Sequence, residues 1–197
     1  MRTILAAAFC LTAFFPHAGS AADWQPVEQE APYTVTGRTG LELYESIGAR
    51  GPKAGDGRAI AHTSFKLTWR RDYQRQGNAC VLASAKPKLI ITYTLPKVSG
   101  KLASPLKESW ETFIEGVRAH ERVHGRMIID MVREIEAFSV GLRQENDPNC
   151  RKIRETLTRR LAEISQAQRQ KSRDFDRVEL SKGGNVHTLV LNLVNGP

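Results

Sequence analysis

Residues 104–138 read SPLKESWETFIEGVRAHERVHGRMIIDMVREIEAF. Apolar side chains fall at Leu106, Trp110, Phe113, Ile114, Val117, Met127, Ile128, Met131, Ile135 and Phe138, a 3.6-residue repeat that predicts one long amphipathic helix. Ser104 is the expected cap and Pro105 the opening residue, because proline is tolerated where backbone N–H groups have no helical partner. The helix is expected to run into Gly141. Midway along, His120, Glu121 and His124 interrupt the apolar stripe on its own face, as the pattern His-Glu-x-x-His.

Residues four apart on a helix differ by about 40° of rotation and about 6 Å of rise, so both imidazoles can reach one ion. This spacing is the signature of a zinc peptidase. Zinc brings Lewis acidity and lowers the pKa of water, and Glu121 is the expected proton acceptor that later protonates the leaving amine. Three polar groups on an inward face are costly to bury without strong compensation, which a metal supplies.

The chain opens with Arg2, an apolar run from Ile4 to Phe15, and small residues up to Ala22, the three regions of a secretory leader. Cleavage is expected near Ala21 or Ala22, leaving residues 23–197 as one domain in the periplasm or outside the cell. The apolar run is too short to span a bilayer. Cys10 is lost with the leader, and the remaining pair, Cys80 and Cys150, is expected to form one disulfide in an oxidising compartment.

The formal net charge is +8 at pH 7, and loss of Arg2 removes one unit of it. The excess crowds a second helical segment, with Arg151, Lys152, Arg154, Arg159, Arg160, Arg169, Lys171 and Arg173. Few aromatics interleave there for stacking on bases, so a nucleic-acid partner is not expected. A solvated helix face is the plainer reading, with contact to envelope polyanions as the alternative.

Working outward from the long helix, residues 33–36 predict a short strand, and Leu41, Tyr44 and Ile47 a short helix ended by Gly48 and Gly51-Pro52. Residues 51–57 read as an exposed loop. Alternation from Ala61 to Tyr73, and again from Cys80 to Leu95, predicts an antiparallel hairpin turning at Gly77-Asn78 and stopped by Pro96. Asp147-Pro148 is the expected start of the second helix, whose stripe of Cys150, Ile153, Leu157, Leu161 and Ile164 packs back on the first. Thr188 to Val194 predicts a last strand after a turn at Gly183-Gly184. The class is α+β: a small antiparallel sheet against a long helix and a second, antiparallel one.

These residues together resemble the bacterial family of predicted secreted zinc-dependent proteases. The resemblance is carried by Tyr33, Val35, Gly37, Thr39 and Leu43, by Gly51-Pro52, Thr63, Trp69, Cys80, Leu95-Pro96 and Trp110, and by the His120–His124 motif, in that order. It implies a metallopeptidase. A catalytic zinc needs a third protein ligand. The extended motif of one zincin group would place it at Asp130, but Met127 stands where that motif has its turning glycine. Another group takes a glutamate from a following helix, here Glu155 or Glu163. The family's tail carries an aromatic-Asp pair followed by a His-Gly. The resemblance therefore implies Asp176, in Phe175-Asp176, as the first choice and the displaced His187 as the second.

The chemistry expected of the chain is zinc-dependent hydrolysis of peptide or amide bonds in the cell envelope, on a peptide or protein substrate. The rival expectation is a non-catalytic envelope module, with a structural metal or none, that binds a partner through its basic helix. His62 is a candidate stabiliser of the tetrahedral intermediate, and Arg118 and Arg122 candidate polarisers of the substrate carbonyl. Ordinary exposed positions are the plainer reading of all three.

Overall fold

The computed structural model describes residues 24–196, so the expected leader lies outside the described residues. In chain order the elements are β1 (Val27–Glu30), β2 (Tyr33–Val35), α1 (Gly40–Arg50), β3 (Lys53–Ala54), β4 (Gly57–Arg58), β5 (His62–Gln76), β6 (Ala79–Thr94), β7 (Pro96–Val98), α2 (Ser104–Ser139), β8 (Arg143–Gln144), α3 (Arg151–Leu180) and α4 (Asn185–Val194). The fold is α+β. Among the described residues no helix is long and apolar enough to cross a membrane.

The β5–β6 hairpin is the longest paired unit, in register from His62 opposite Thr94 to Gln76 opposite Ala79. Gly77 turns it at a positive φ, +62°, where a side chain would be strained. Tyr73 pairs with Leu82 and Asp72 with Ser84, so Ala83 is an extra residue in β6. The bulge shifts the alternation by one, and Cys80 and Leu82 thereby face the core together with Leu89 and Ile91. The sheet is mixed rather than purely antiparallel: β1 lies parallel to β6 and β8 antiparallel to it. Pro96 does end β6, yet it opens β7, which pairs in parallel with β2.

Helix α2 buries Leu106, Trp110, Phe113, Val117, Ile128, Met131 and Ile135 along the face the sequence marks. Its cap position is Ala103, and Ser104 lies already inside the helix. Helix α3 returns antiparallel to α2: Arg160 meets Glu134 near one end and Asp176 meets His124 near the other. It starts after Asp147 rather than at it. The Asp147 carboxylate accepts from the backbone N–H of Arg151 and Ile153 at 2.8 and 2.9 Å, taking up two of the donors a helix start leaves unpaired. Cys150 bonds to Cys80, with 5.2 Å between their Cα atoms, and so fastens the head of α3 to β6.

The expected last strand is a helix. Val186, Leu189, Val190 and Leu193 follow helical spacing as well as they alternate, and for a short apolar run periodicity alone does not decide. Packing does: α4 lies against α1, α2 and α3, and Val186 and Leu193 are buried. Gly116 on α2 makes room for it, since a Cβ there would collide with Leu189. Helix α1 runs past Gly48 to Arg50, and the expected 51–57 loop is largely taken up by the small β3–β4 hairpin, which closes at Arg58. One apolar cluster joins α1, α2, α4 and the sheet around Leu43, Ile91, Phe113 and Leu193. A second surrounds the disulfide with Leu82, Ala85, Ile153 and Leu157, and Trp69 and Leu161 pack against both.

Candidate metal centre

Three elements meet at one place. Helix α2 contributes His120, Glu121 and His124, all more than nine-tenths buried. The C-terminal end of α3 contributes Ser172, Phe175, Asp176 and Glu179, and the first residues of β5 contribute His62 and Thr63.

Nε2 of His120 and Nε2 of His124 are 3.1 Å apart, and Oδ1 of Asp176 stands 3.2 Å from the first and 2.9 Å from the second. Hydrogen bonds can join Asp176 to both rings, but they cannot also close the edge between the two nitrogens. Each nitrogen carries at most one proton and points it in one direction, so one edge at least stays unbonded. A central cation satisfies all three atoms at once. Donors on a tetrahedral zinc, at about 2.0–2.2 Å from it, lie about 3.3 Å from one another, close to these edges.

The far sides of the rings fit the same picture. Nδ1 of His124 is 2.8 Å from Ser172 Oγ. Nδ1 of His120 is buried without a hydrogen bond, and Glu179 Oε2 stands 3.6 Å away, just beyond bonding range. A proton on each Nδ1 leaves both Nε2 lone pairs for a metal, with a hydroxyl and a carboxylate orienting the rings from behind. Phe175 stacks on His120, with 4.7 Å between centroids, and stands edge-on to His124 at 5.4 Å.

The electrostatics favour positive charge. Burial by itself lowers the pKa of His120, but the Asp176 hydrogen bond and the charges of Glu121 and Asp176 outweigh it and the net shift is upward. Burial likewise pushes the Asp176 carboxyl up, while its bonds to His120 and His124 hold it far below the usual carboxylate range. Glu121, Asp176 and Glu179 thus gather three carboxyl groups around two imidazoles, an arrangement that draws positive charge.

Glu121 takes no part in the tripod. Its Oε2 accepts from the Thr63 hydroxyl at 2.5 Å, and its backbone carbonyl lies 3.1 Å from the same oxygen. Thr63 is paired with Tyr93 in the hairpin, so the sheet sets where this carboxylate rests. The tripod and Glu121 lie in a cleft of about 610 Å³.

Among the sequence candidates for third ligand, Asp176 joins the two histidines, with all three donor atoms within 4.8 Å of one another. His187 does not. Helix α3 continues past Arg173 to Leu180, and the following turn carries His187 onto α4, where its Nδ1 accepts from the Gly183 N–H at 3.4 Å. Asp130 is an exposed partner of Arg133, and Glu155 and Glu163 pair with Arg151 and Arg160 on the surface. Arg118 is held by Glu30 and Glu115, and hydrogen bonding to Glu30 chiefly raises its pKa. Arg122 lines a separate crevice beside Glu28 and Tyr93. His62 is exposed, as its alternation implies, at the edge of the cleft.

Ser172, Glu179 and the role of Thr63 were missed by sequence reasoning. One signal for the first two exists: the α3 stripe of Ile153, Leu157, Leu161 and Ile164 continues at the same spacing through Gln168, Ser172, Phe175 and Glu179. An inward stripe that turns polar marks a site. The pairing of Thr63 with Glu121 is purely tertiary.

A family model described as "Bacterial protein of unknown function (DUF922)" matches residues 30–184, a span that contains every group of the centre from Thr63 to Glu179. No curated protein and no solved structure matches the chain.

Proposed function

The chain belongs to this bacterial family of unknown function, and we propose that it is an exported zinc-dependent hydrolase of peptide or amide bonds. The observation that carries this is the convergence of His120 Nε2, His124 Nε2 and Asp176 Oδ1 beside a buried carboxylate in an open cleft. Two nitrogens and one oxygen suit zinc. No fourth His, Cys, Asp or Glu donor joins the group among the described residues. Three protein ligands are the arrangement of a catalytic zinc, whereas structural sites are closed by four. The Cys80–Cys150 disulfide supports an oxidising compartment.

A zinc ion held by the tripod supplies Lewis acidity toward water and toward the scissile carbonyl. The chain's own residues do the rest. Glu121 accepts a proton from the attacking water as the C–O bond forms and delivers it to the amine as the C–N bond breaks. Thr63 fixes the carboxylate for both transfers, and burial of Glu121 keeps bulk water from competing for the proton. Ser172 holds the His124 ring through Nδ1, and the nearby Glu179 carboxylate favours a proton on His120 Nδ1, so that both rings present Nε2.

The test is metal content and turnover on the mature chain. About one zinc per chain is expected, lost in His120→Ala. Glu121→Gln should retain the zinc and lose hydrolysis of an unfolded protein substrate by about 100-fold or more. Zinc retained with hydrolysis unaffected in Glu121→Gln would remove Glu121 from the chemistry. A zinc-loaded wild type that cuts no peptide would leave the non-catalytic envelope module instead.

A further inference from the structure

The cleft over the centre has two kinds of wall. One is apolar, with the buried Val117, Ile128 and Val186, the half-buried Ile60 and the exposed Phe65. The rims carry guanidinium groups: Arg58 from β4, and Arg169 and Arg173 from successive turns of α3. All three are exposed.

Their pairing differs from that of Arg151, Arg160 and Arg177 on α3, although Arg154, which donates to backbone carbonyls, and Arg159 hold no carboxylate either. Arg151 holds Glu155, Arg160 holds Glu134 and Glu163, and Arg177 holds Asp174. Among the described residues Arg58, Arg169 and Arg173 form no ion pair within 4.0 Å, although, with the hydrogen bonds of Gln170 and Arg177, the charge of Arg173 lowers the pKa of the adjacent Asp174. Arg58 donates to the Gly51 carbonyl at 2.6 Å and Arg173 to the Gln170 amide oxygen, both neutral acceptors. The two acids in the cleft are already engaged, Glu121 by Thr63 and Asp176 by the histidines. The mouth therefore presents three guanidinium groups without ion-pair partners beside an apolar lining.

We infer that the cleft selects acidic peptides, seating an apolar side chain against its apolar lining while Arg58 and the Arg169–Arg173 pair receive flanking Asp or Glu carboxylates. This rests on the hydrolase reading above and names its substrate class. Guanidinium groups suit the role because their planar fork binds carboxylates through paired hydrogen bonds. Positive rims also concentrate and orient an anionic chain before contact, an effect that added salt weakens.

The experiment is equilibrium binding of labelled decapeptides to the zinc-loaded full mature chain carrying Glu121→Gln, so that binding is read apart from turnover. One peptide has a central Leu flanked by Glu, and its counterparts have Gln or Lys in place of Glu. The Glu peptide is expected to bind at least about tenfold more tightly than the Gln peptide in dilute buffer, with the gap shrinking as salt is raised. Arg169→Glu/Arg173→Glu should abolish that preference and Arg58→Glu reduce it, while Arg159→Glu, elsewhere on α3, leaves it intact. Equal affinity for the Glu and Gln peptides, a preference that survives the rim substitutions, or no binding of any of the peptides would overturn the inference. The same peptides offered to the wild-type chain separate the two claims: an acidic peptide that binds selectively but is never cut refutes hydrolysis and leaves the selectivity standing.

Discussion

Removing the Cys80–Cys150 bridge, by Cys80→Ala with Cys150→Ala, tests whether the long connection through α2 is held mainly by chain entropy. The bonded residues are 70 apart in sequence. For a closed loop of that length the loss of unfolded-chain entropy stabilises the native state by about 4 kcal/mol at 25 °C. For a chain of this size each kcal/mol moves the melting temperature by about 2–4 °C, so a fall of about 8–16 °C is expected. Alanine is the right substitute because both cysteines are buried, and a serine would add the cost of hydroxyls placed without partners. Denaturant unfolding of the oxidised, reduced and doubly substituted proteins gives the free energies directly. The reduced wild type and the double variant should agree, and both should still bind about one zinc at 25 °C, because an effect on the unfolded state leaves the native centre in place. A loss under about 1 kcal/mol would refute the entropic account. Unchanged stability with loss of zinc would show that the bridge acts through native geometry instead.

Other expectations follow from the centre and from the start of α3. Ser172→Ala and Glu179→Gln remove the groups behind the histidine rings, and each should weaken zinc binding about 10–100-fold in a chelator competition; unchanged affinity would deny them that role. Thr63→Val should leave zinc content intact and lower kcat about 10–100-fold with little change in KM, as befits a positioning bond to a charged group, and Thr63→Ser should restore it. Backbone hydrogen bonds to Asp147 outweigh its burial and hold its carboxyl below the usual value of 3.8. Its folded pKa being the lower one, its contribution is complete above 3.8 and fades as pH falls through that folded value. The stability gap between wild type and Asp147→Ala should therefore be wide at pH 7 and shrink as pH falls below 3.8, and thermal melts showing a gap that does not change with acidification would count against the cap.

Where a single periodic segment carried the information, the sequence was readable. The α2 stripe, its polar interruption and the β5–β6 alternation all depend on local spacing, and each corresponds to an element in the fold. The class followed from them. Asp176 was legible only through a family pattern, because its partnership with two histidines on another helix has no local trace. The misreading of α4 has a different cause, since a short run such as Thr188 to Val194 suits either a strand or a helix until a neighbour offers a groove. Strand β1 and the extra residue Ala83 also escaped notice. Pairing with β6 defines the first, and the second is a shift of register that only the partner strand reveals. The Thr63–Glu121 contact joins residues 58 positions apart and has no sequence signature of its own.

Helix α3 also acts as a measuring rod. One end is pinned to β6 at Cys150 and the other must deliver Asp176 to two imidazoles, so the distance between them, about 39 Å at 1.5 Å per residue, is prescribed from both sides. Inserting or deleting one residue within that stretch would swing the aspartate about 100° around the axis and slide it along the neighbouring helix. Relatives that keep the centre should consequently vary in length at the β3–β4 turn or the tip of the long hairpin, while the count from Cys150 to Asp176 stays invariant.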